Sequence, residues 1–190
     1  MKHSCLGDIV IDIAQNAACS GADLLELEID GRGAFGFTIR DNGRGMAAEQ
    51  VTRIKRAAAD YAKGAPLPET ARGRGIPLMA RAAEESGGSW ELDSEEGKGT
   101  RVSARFGPAD APAPPPERLV GDIPGTLRTA LLFEGPEEVV IKRIRGDGTV
   151  YEIRKTELTR ILGEPEKARV MILLDRYLRE IEGGLRLNAD

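Results

Sequence analysis

The chain has 190 residues, 41% of them hydrophobic, enough to bury one good core and a small appendage. Its net charge of -4, with 27 basic and 31 acidic side chains interspersed, provides no basic field for sequence-independent nucleic-acid binding, so nucleic acid is excluded as an expected partner. No apolar run approaches a membrane span, and Asp8 and Asp12 interrupt the stretch where a signal peptide would need continuous apolar residues; the expectation is a cytoplasmic protein without a membrane partner.

Residues 4 to 20 have the spacing of an amphipathic helix, with Leu6, Ile9, Val10, Ile13, Ala14 and Ala17 on one arc and Gly21 ending it. Cys5 and Cys19 sit at its two ends, about 21 Å apart along a helix axis, too far to pair with each other. They read as small core or boundary residues. With a single histidine, His3, there are too few soft ligands for a structural zinc site.

"DLLELEID" (23 to 30) alternates with the two-residue period of a half-buried strand, and "GRG" turns it into "AFGFTIRD", a hairpin. "NGRG" follows, then helical character from Glu49 to Tyr61. The proline- and glycine-rich segment 62 to 75 reads as a long loop, of the kind that is usually functional or disordered inside a compact domain. "IPLMARAAEESGG" is a helix stopped by Gly87 and Gly88, and "SWELDS" and "TRVSARF" form a second hairpin across "EEGKG".

Residues 107 to 117, "GPADAPAPPPE", form a proline-alanine linker and divide the expected domains: 1 to 106 before it, and a small α+β unit of unknown role over 118 to 190 beyond it. In that second unit "DIPGTLRTALLF" predicts a helix, "EEVVIKRIRGDGTVYEIRK" a hairpin, and "EPEKARVMILLDRYLREIEGG" a strongly apolar helix. The methionine and leucine stripe in 170 to 178 reads as packing, within that unit or against a partner.

Three places could carry chemistry. Counting by two, Phe35, Phe37, Ile39 and Asp41 share a strand face, so the Asp41 carboxylate should end a row that is otherwise core. Thr100, Val102, Ala104 and Phe106 place a hydroxyl at the end of another such row. A carboxylate and a hydroxyl at the rim of an apolar sheet can bind a flat heterocycle with an exocyclic amino group, and adenine fits. On the first helix Asp12 and Asn16 are one turn apart; their oxygens suit Mg²⁺ with phosphates and waters, and an acidic group there can orient an attacking water. In "ARGRGIPLMA", Gly73 and Gly75 permit close approach of a ligand and the helix that follows offers N–H groups to phosphate. Taken singly, each reads equally well as a polar helix edge, a turn or a flexible loop; their joint order points to a nucleotide pocket.

That order, "DIAQNA", "DNGRGM", "GRGIPL" and "GKGT" over about residues 4 to 106, resembles the Bergerat-fold (GHKL) ATPase superfamily of DNA gyrase, MutL, Hsp-type chaperones and sensor histidine kinases. The resemblance implies a two-layer α/β sandwich with a mixed, mainly antiparallel sheet backing three helices, followed here by the small α+β unit. It implies ATP and Mg²⁺ as ligands. Asn16 would ligate the metal. Asp12 stands where hydrolysing members carry a glutamate base, one methylene longer. Asp41 would accept from the adenine amino group, directly and through a water shared with Thr100. Gly43 and Gly45 would let the chain pass under the base, with Met46 against its ring, and Gly73 and Gly75 would face the phosphates with Arg74 between them able to pair with one. The loop before "GRG" lacks the aromatic and threonine-rich segment of many relatives, which implies a lid that closes poorly. His3 alone lies upstream, with no room for the phosphoacceptor hairpin of a complete sensor kinase.

"DIAQNAACSGA", "GIPLMARAAEESGG" and "LVGDIPGTLRTALL" are further similar to a small family of stand-alone ATP-binding proteins of anaerobic bacteria, often encoded near iron-only hydrogenase components. This implies ATP or ADP as ligand, a protein partner from the hydrogenase apparatus, and room for an oligomer. Two functions fit: a regulatory ATPase or protein kinase-like protein acting on a partner, or a non-catalytic ATP/ADP sensor that switches partner contacts.

Overall fold

The computed structural model describes residues 5–66, 74–108, 121–163 and 168–183. Their elements run α1 (Leu6–Ala18), β1 (Leu24–Asp30), β2 (Phe35–Asp41), α2 (Ala48–Ala62), α3 (Gly75–Glu85), β3 (Ser89–Glu95), β4 (Gly99–Phe106), α4 (Ile123–Leu131), β5 (Glu138–Ile144), β6 (Val150–Arg154), α5 (Lys155–Leu162) and α6 (Ala168–Gly183). The strands make one six-stranded sheet in the order β3-β4-β2-β1-β5-β6. All pairings are antiparallel except β1 with β5. The architecture is therefore the expected α+β sandwich with a mixed, mainly antiparallel sheet.

Register explains the core. Leu27, Ile39, Val102 and Leu92 lie side by side across β1, β2, β4 and β3, and Ile141 and Ile153 extend the row through β5 and β6. All six are buried, and the apolar arc of α1 joins them in one cluster with α3, α4 and α6. At roughly 1.5–3 kcal/mol for each fully buried large aliphatic side chain, this row and the α1 arc dominate the packing energy. Side chains on the opposite face, including Glu26, Arg40, Glu91, Asp93 and Arg105, are exposed, so the two-residue alternation seen in β1 marks a sheet covered by its helices on one side.

Strands on both sides of the proline-rich stretch share this sheet: Leu24–Asp30 pairs in parallel with Glu138–Ile144. Two features differ from the sequence reading. Lys155–Leu162 is a helix where the expected hairpin ends at Lys155 and no element was assigned to residues 156–163; Arg154 ends β6 and stands at the N-cap of α5 with no turn residue between them. Cys5 and Cys19, read as core or boundary positions, are both exposed free thiols flanking α1. His3 lies outside the described residues. Among the described residues no helix is long and apolar enough to cross a membrane.

Candidate functional site

Asp41 ends β2 opposite Leu25 of β1 and Thr100 of β4, on the face whose other residues are core. The residue is only 5% exposed. One carboxylate oxygen accepts from the Ser20 hydroxyl at 3.0 Å and the Gly43 N–H at 2.9 Å. Both donors are neutral. Burial therefore pushes the carboxyl upward from the ordinary aspartate value, and the Gly43 N–H and Ser20 hydroxyl offset only part of that. Beside it, the Thr100 and Ser94 hydroxyls are 2.9 Å apart, and Ser94 also reaches the Gly99 carbonyl at 3.0 Å. Ser94 has one proton; when it donates to that carbonyl, Thr100 donates to Ser94 and keeps its own lone pairs for another donor.

The glycines after β2 are required by protein atoms. A Cβ on Gly43 would lie 1.8 Å from the Ser20 Oγ. Gly45 has φ +63°, and its Cβ would fall 1.9 Å from the Glu95 carbonyl oxygen in the β3–β4 hairpin. The turn is thus pressed between the end of α1 and that hairpin, and Arg44 bonds both: its N–H to the Ser20 carbonyl at 3.2 Å, its carbonyl to the Gly97 N–H at 2.7 Å. Met46, half-buried, packs against the core cluster. Asn42, to which sequence reasoning gave no role, accepts from the Asp23 and Leu24 N–H groups at 3.0 Å each and so fixes the start of β1 against the end of β2. Asn is a common turn former, and only that habit could have flagged it.

A second group forms between α1 and α3. The Asp12 Oδ2 accepts from the Gly75 N–H at 2.7 Å, across 63 residues of sequence. Gly75 is the first residue of α3, so this carboxylate satisfies a free helix-terminal donor and sits at the positive end of the helix dipole. A Cβ on Gly75 would lie 2.5 Å from that same oxygen, which explains the glycine. Asn16 donates its amide nitrogen to the Asp12 carbonyl at 2.8 Å, and no bond among the described residues engages its Oδ1. Arg74 is exposed just ahead of α3. Gly73 lies outside the described residues.

A cavity of about 680 Å³ opens at the Asp41 end of the sheet. Asp41, Asn42, Ser94, Thr100 and Leu92 line it from the strands, and Val51, Thr52 and Lys55 from α2. Glu26, Arg40, Asp93 and Arg101 of the open sheet face also line it, so it is an open cleft, lined mostly by polar residues, with room for a small polar ligand. Asp12, Asn16, Arg74 and Gly75 are not among its walls, so the expected residues gather in two groups, Asp41 with Thr100 and Asp12 with Asn16 and Gly75, joined through α1. Among the described residues no cluster of three acidic, histidine or cysteine side chains could hold a metal by itself. A hard cation at Asn16 would need oxygen ligands brought by phosphate.

The chain is similar to the DNA mismatch repair protein MutL of Deinococcus radiodurans, 43% identical over 44 residues, a match that takes in 23% of this chain and 8% of that one. It is also similar to the crystal structure of the N-terminal domain of a DNA repair protein, with a TM-score of 0.45 and 12% identity over 83% of this chain and 57% of that one. The chain thus spans less than two thirds of the length of either relative. Residues 2–110, more than half of the chain, match the histidine kinase-, DNA gyrase B-, and HSP90-like ATPase family, and the chain belongs to that family.

Proposed function

We propose that the protein binds ATP, as membership of that family implies. We propose that the ATP sits with Mg²⁺ at the Asp41 end of the sheet and that the protein works as a nucleotide-responsive regulator of a protein partner. The observation that carries this reading is the Asp41 carboxylate, buried with only neutral donors at the edge of a cavity. A carboxylate in that state is costly unless an arriving N–H completes its bonding, and the adenine amino group supplies one. Thr100, with lone pairs to spare, takes the bridging water. Gly43, Gly45 and Met46 shape the turn beside the base. The Asn16 Oδ1 would supply the single protein oxygen that a phosphate-borne Mg²⁺ needs, and the family resemblance assigns Gly73, Arg74 and Gly75 to the phosphates.

Isothermal titration with ATP and Mg²⁺ tests this. Wild-type protein should give saturable heat and Asp41→Asn should bind at least about tenfold more weakly, having lost a charged acceptor and gained a donor facing a donor. Equal affinity of the two proteins would remove Asp41 from the site.

Regulation of a partner leaves open whether ATP is turned over. In the second reading Asp12 is the general base of a regulatory ATPase or protein kinase-like reaction. The bond from the Gly75 N–H to the Asp12 Oδ2 favours switching over turnover, because it commits that oxygen to the start of α3 and the side chain is already one methylene short of glutamate. Incubation with γ-labelled ATP, alone and with hydrogenase components as the proposed partner class, separates the two. A sensor alters partner binding between ATP and ADP without releasing or transferring phosphate; release or transfer above background establishes the ATPase or kinase reading. We propose a cytoplasmic location.

A further inference from the structure

Asp41 lines the cleft and Ser20 does not, yet the Ser20 hydroxyl reaches Asp41 across 21 residues of sequence. Ser20 stands just beyond Cys19, the C-cap of α1, and its own N–H donates to the Ala17 carbonyl at 3.0 Å. An ionised carboxylate only accepts, so the serine is the donor. Its bond and that of the Gly43 N–H both end on the Asp41 Oδ1, at 3.0 and 2.9 Å, and no hydrogen bond among the described residues ends on Oδ2. The torsion that turns an aspartate carboxyl is broad, so the backbone of β2 alone does not decide how the group faces. One donor fixes a point. Two donors from different elements, one on the turn after β2 and one on α1, fix the plane, and Oδ2 keeps its lone pairs for a donor that arrives.

The end of α1 that carries this hydroxyl is itself held on two sides. Gly43 lies outside the left-handed region, so its backbone accepts any residue; it is glycine because a Cβ would fall 1.8 Å from the Ser20 Oγ and 2.7 Å from the Ser20 Cβ. On the other flank the loop between α4 and β5 presses on the same helix end. Gly135, at φ +110°, would place a Cβ 2.8 Å from the Ala18 carbonyl oxygen, and the Lys155 Nζ ties that loop by donating to the Phe133 and Pro136 carbonyls at 3.0 Å each. Held between turn and loop, α1 delivers the Ser20 hydroxyl to one place. A contact group locked in this way by a neighbour that never meets the ligand loses less freedom on binding. We propose that Ser20 is a positioning residue of the nucleotide site: resting on the reading that Asp41 receives the adenine amino group, it holds Oδ2 for that group and so sets the preference for a 6-amino over a 6-oxo purine.

Isothermal titration of the full chain with ATP and with inosine triphosphate, each with Mg²⁺, reads this directly, because the two ligands differ at the purine 6-position and share their sugar and phosphates. Wild-type protein should favour ATP by at least about tenfold. Ser20→Ala should weaken ATP by about three- to tenfold and inosine triphosphate by less than about twofold, so that the preference shrinks. Asp41→Asn should lose the preference. Thermal melts show that each variant is folded. A Ser20→Ala protein that keeps the wild-type preference while Asp41→Asn loses it overturns the role of Ser20 and leaves Asp41 in place. Equal weakening of both nucleotides overturns it too, reducing Ser20 to a part of the fold. A wild-type chain without preference, or an Asp41→Asn protein that retains it, removes Asp41 from the site and Ser20 with it.

Discussion

Each end of the sheet buries a charged side chain on the same face, and the two are treated in opposite ways. At the far end Arg143 of β5 is 1% exposed and its charge is answered inside the protein: Nε donates to Glu182 at 3.0 Å and Nη1 to the Ile144 carbonyl at 2.6 Å. The Tyr151 hydroxyl bonds the same Glu182 oxygen, and burial, then that carboxylate, push its ionisation well above the tyrosine range. Arg145 adds a bond to the Ile181 carbonyl at 2.7 Å. At the near end Asp41 meets a hydroxyl and an amide but no cation. A buried ion pair whose charge is answered inside the protein is a fastening, here of α6 to β5 and β6. A buried charge left with neutral company beside a cavity is a place for something to arrive.

The sharpest way to break this contrast is to open the fastening. Arg143→Ala leaves Glu182 half-satisfied in a dry pocket, and Glu182→Ala leaves Arg143 so; each should cost about 3–5 kcal/mol by denaturant unfolding, and the double substitution much less than their sum. Arg176→Ala, which removes an exposed pair on the same helix, should cost less than about 1 kcal/mol and serves as the reference. If Arg143→Ala proves as mild as Arg176→Ala, the far end is not a closed network.

Next in size is the turn that holds Asp41 in place. Gly45→Ala combines a left-handed backbone at φ +63° with a Cβ inside the van der Waals radius of the Glu95 carbonyl, and should cost about 2–4 kcal/mol. Gly97→Ala has the same kind of backbone, φ +78°, but open space around it, and should cost about 1–2 kcal/mol. The difference between the two measures how tightly the β3–β4 hairpin is pressed on the site.

These residues also show which parts of the structure a sequence can disclose. Asp41 was legible because a period of two over Phe35, Phe37 and Ile39 dictates which face the next residue takes. The Asp12–Asn16 ridge and the opening of α3 at Gly75 were legible for the same local reason, a helical period and a glycine. What joins them was not. The Asp12 bond to Gly75 spans a long loop, and no local pattern specifies it. Nor could composition reveal that β5 pairs in parallel with β1, because a proline-alanine stretch reports on the chain around it and not on strands that meet across it. Arg143 looked like one more charge in "VVIKRIR"; it shares the core face of β5 with Val139 and Ile141, and only the packing of α6, which brings Glu182 to it, explains a charge there. Helix α5 was hidden because β6 runs into it without a turn signal.

Asp41 itself offers a smaller effect with an informative sign. Its folded-state pKa is raised above the ordinary 3.8, so the native protein holds a proton that the unfolded chain has released in the window just above that value. Stability from this group is present below the window and lost as pH rises through it. Asp41→Asn keeps an acceptor for Ser20 and Gly43 and cannot ionise. Its melting temperature should equal that of wild type near pH 3 and exceed it by a few degrees at neutral pH, while its affinity for ATP falls. A variant that loses stability at neutral pH along with binding would make Asp41 a structural residue like Arg143.

Asp12 gives the least change in stability and the finest test of what the near end does. Asp12→Asn retains an oxygen for the Gly75 N–H but removes the negative charge from the start of α3, a loss of roughly 0.3–1 kcal/mol at an exposed helix terminus. A phosphate group seeks the same helix end for the same electrostatic reason. If the carboxylate holds that end in the nucleotide-free protein and yields to phosphate when ATP enters, Asp12→Asn should melt slightly lower without ligand and bind ATP more tightly than wild type, since the competing charge is gone. If Asp12 instead serves as a base toward water, the same substitution should abolish phosphate release with little gain in affinity. One variant, read by melting, titration and labelled ATP together, thus decides whether the carboxylate at the mouth of α3 is a latch or a catalyst.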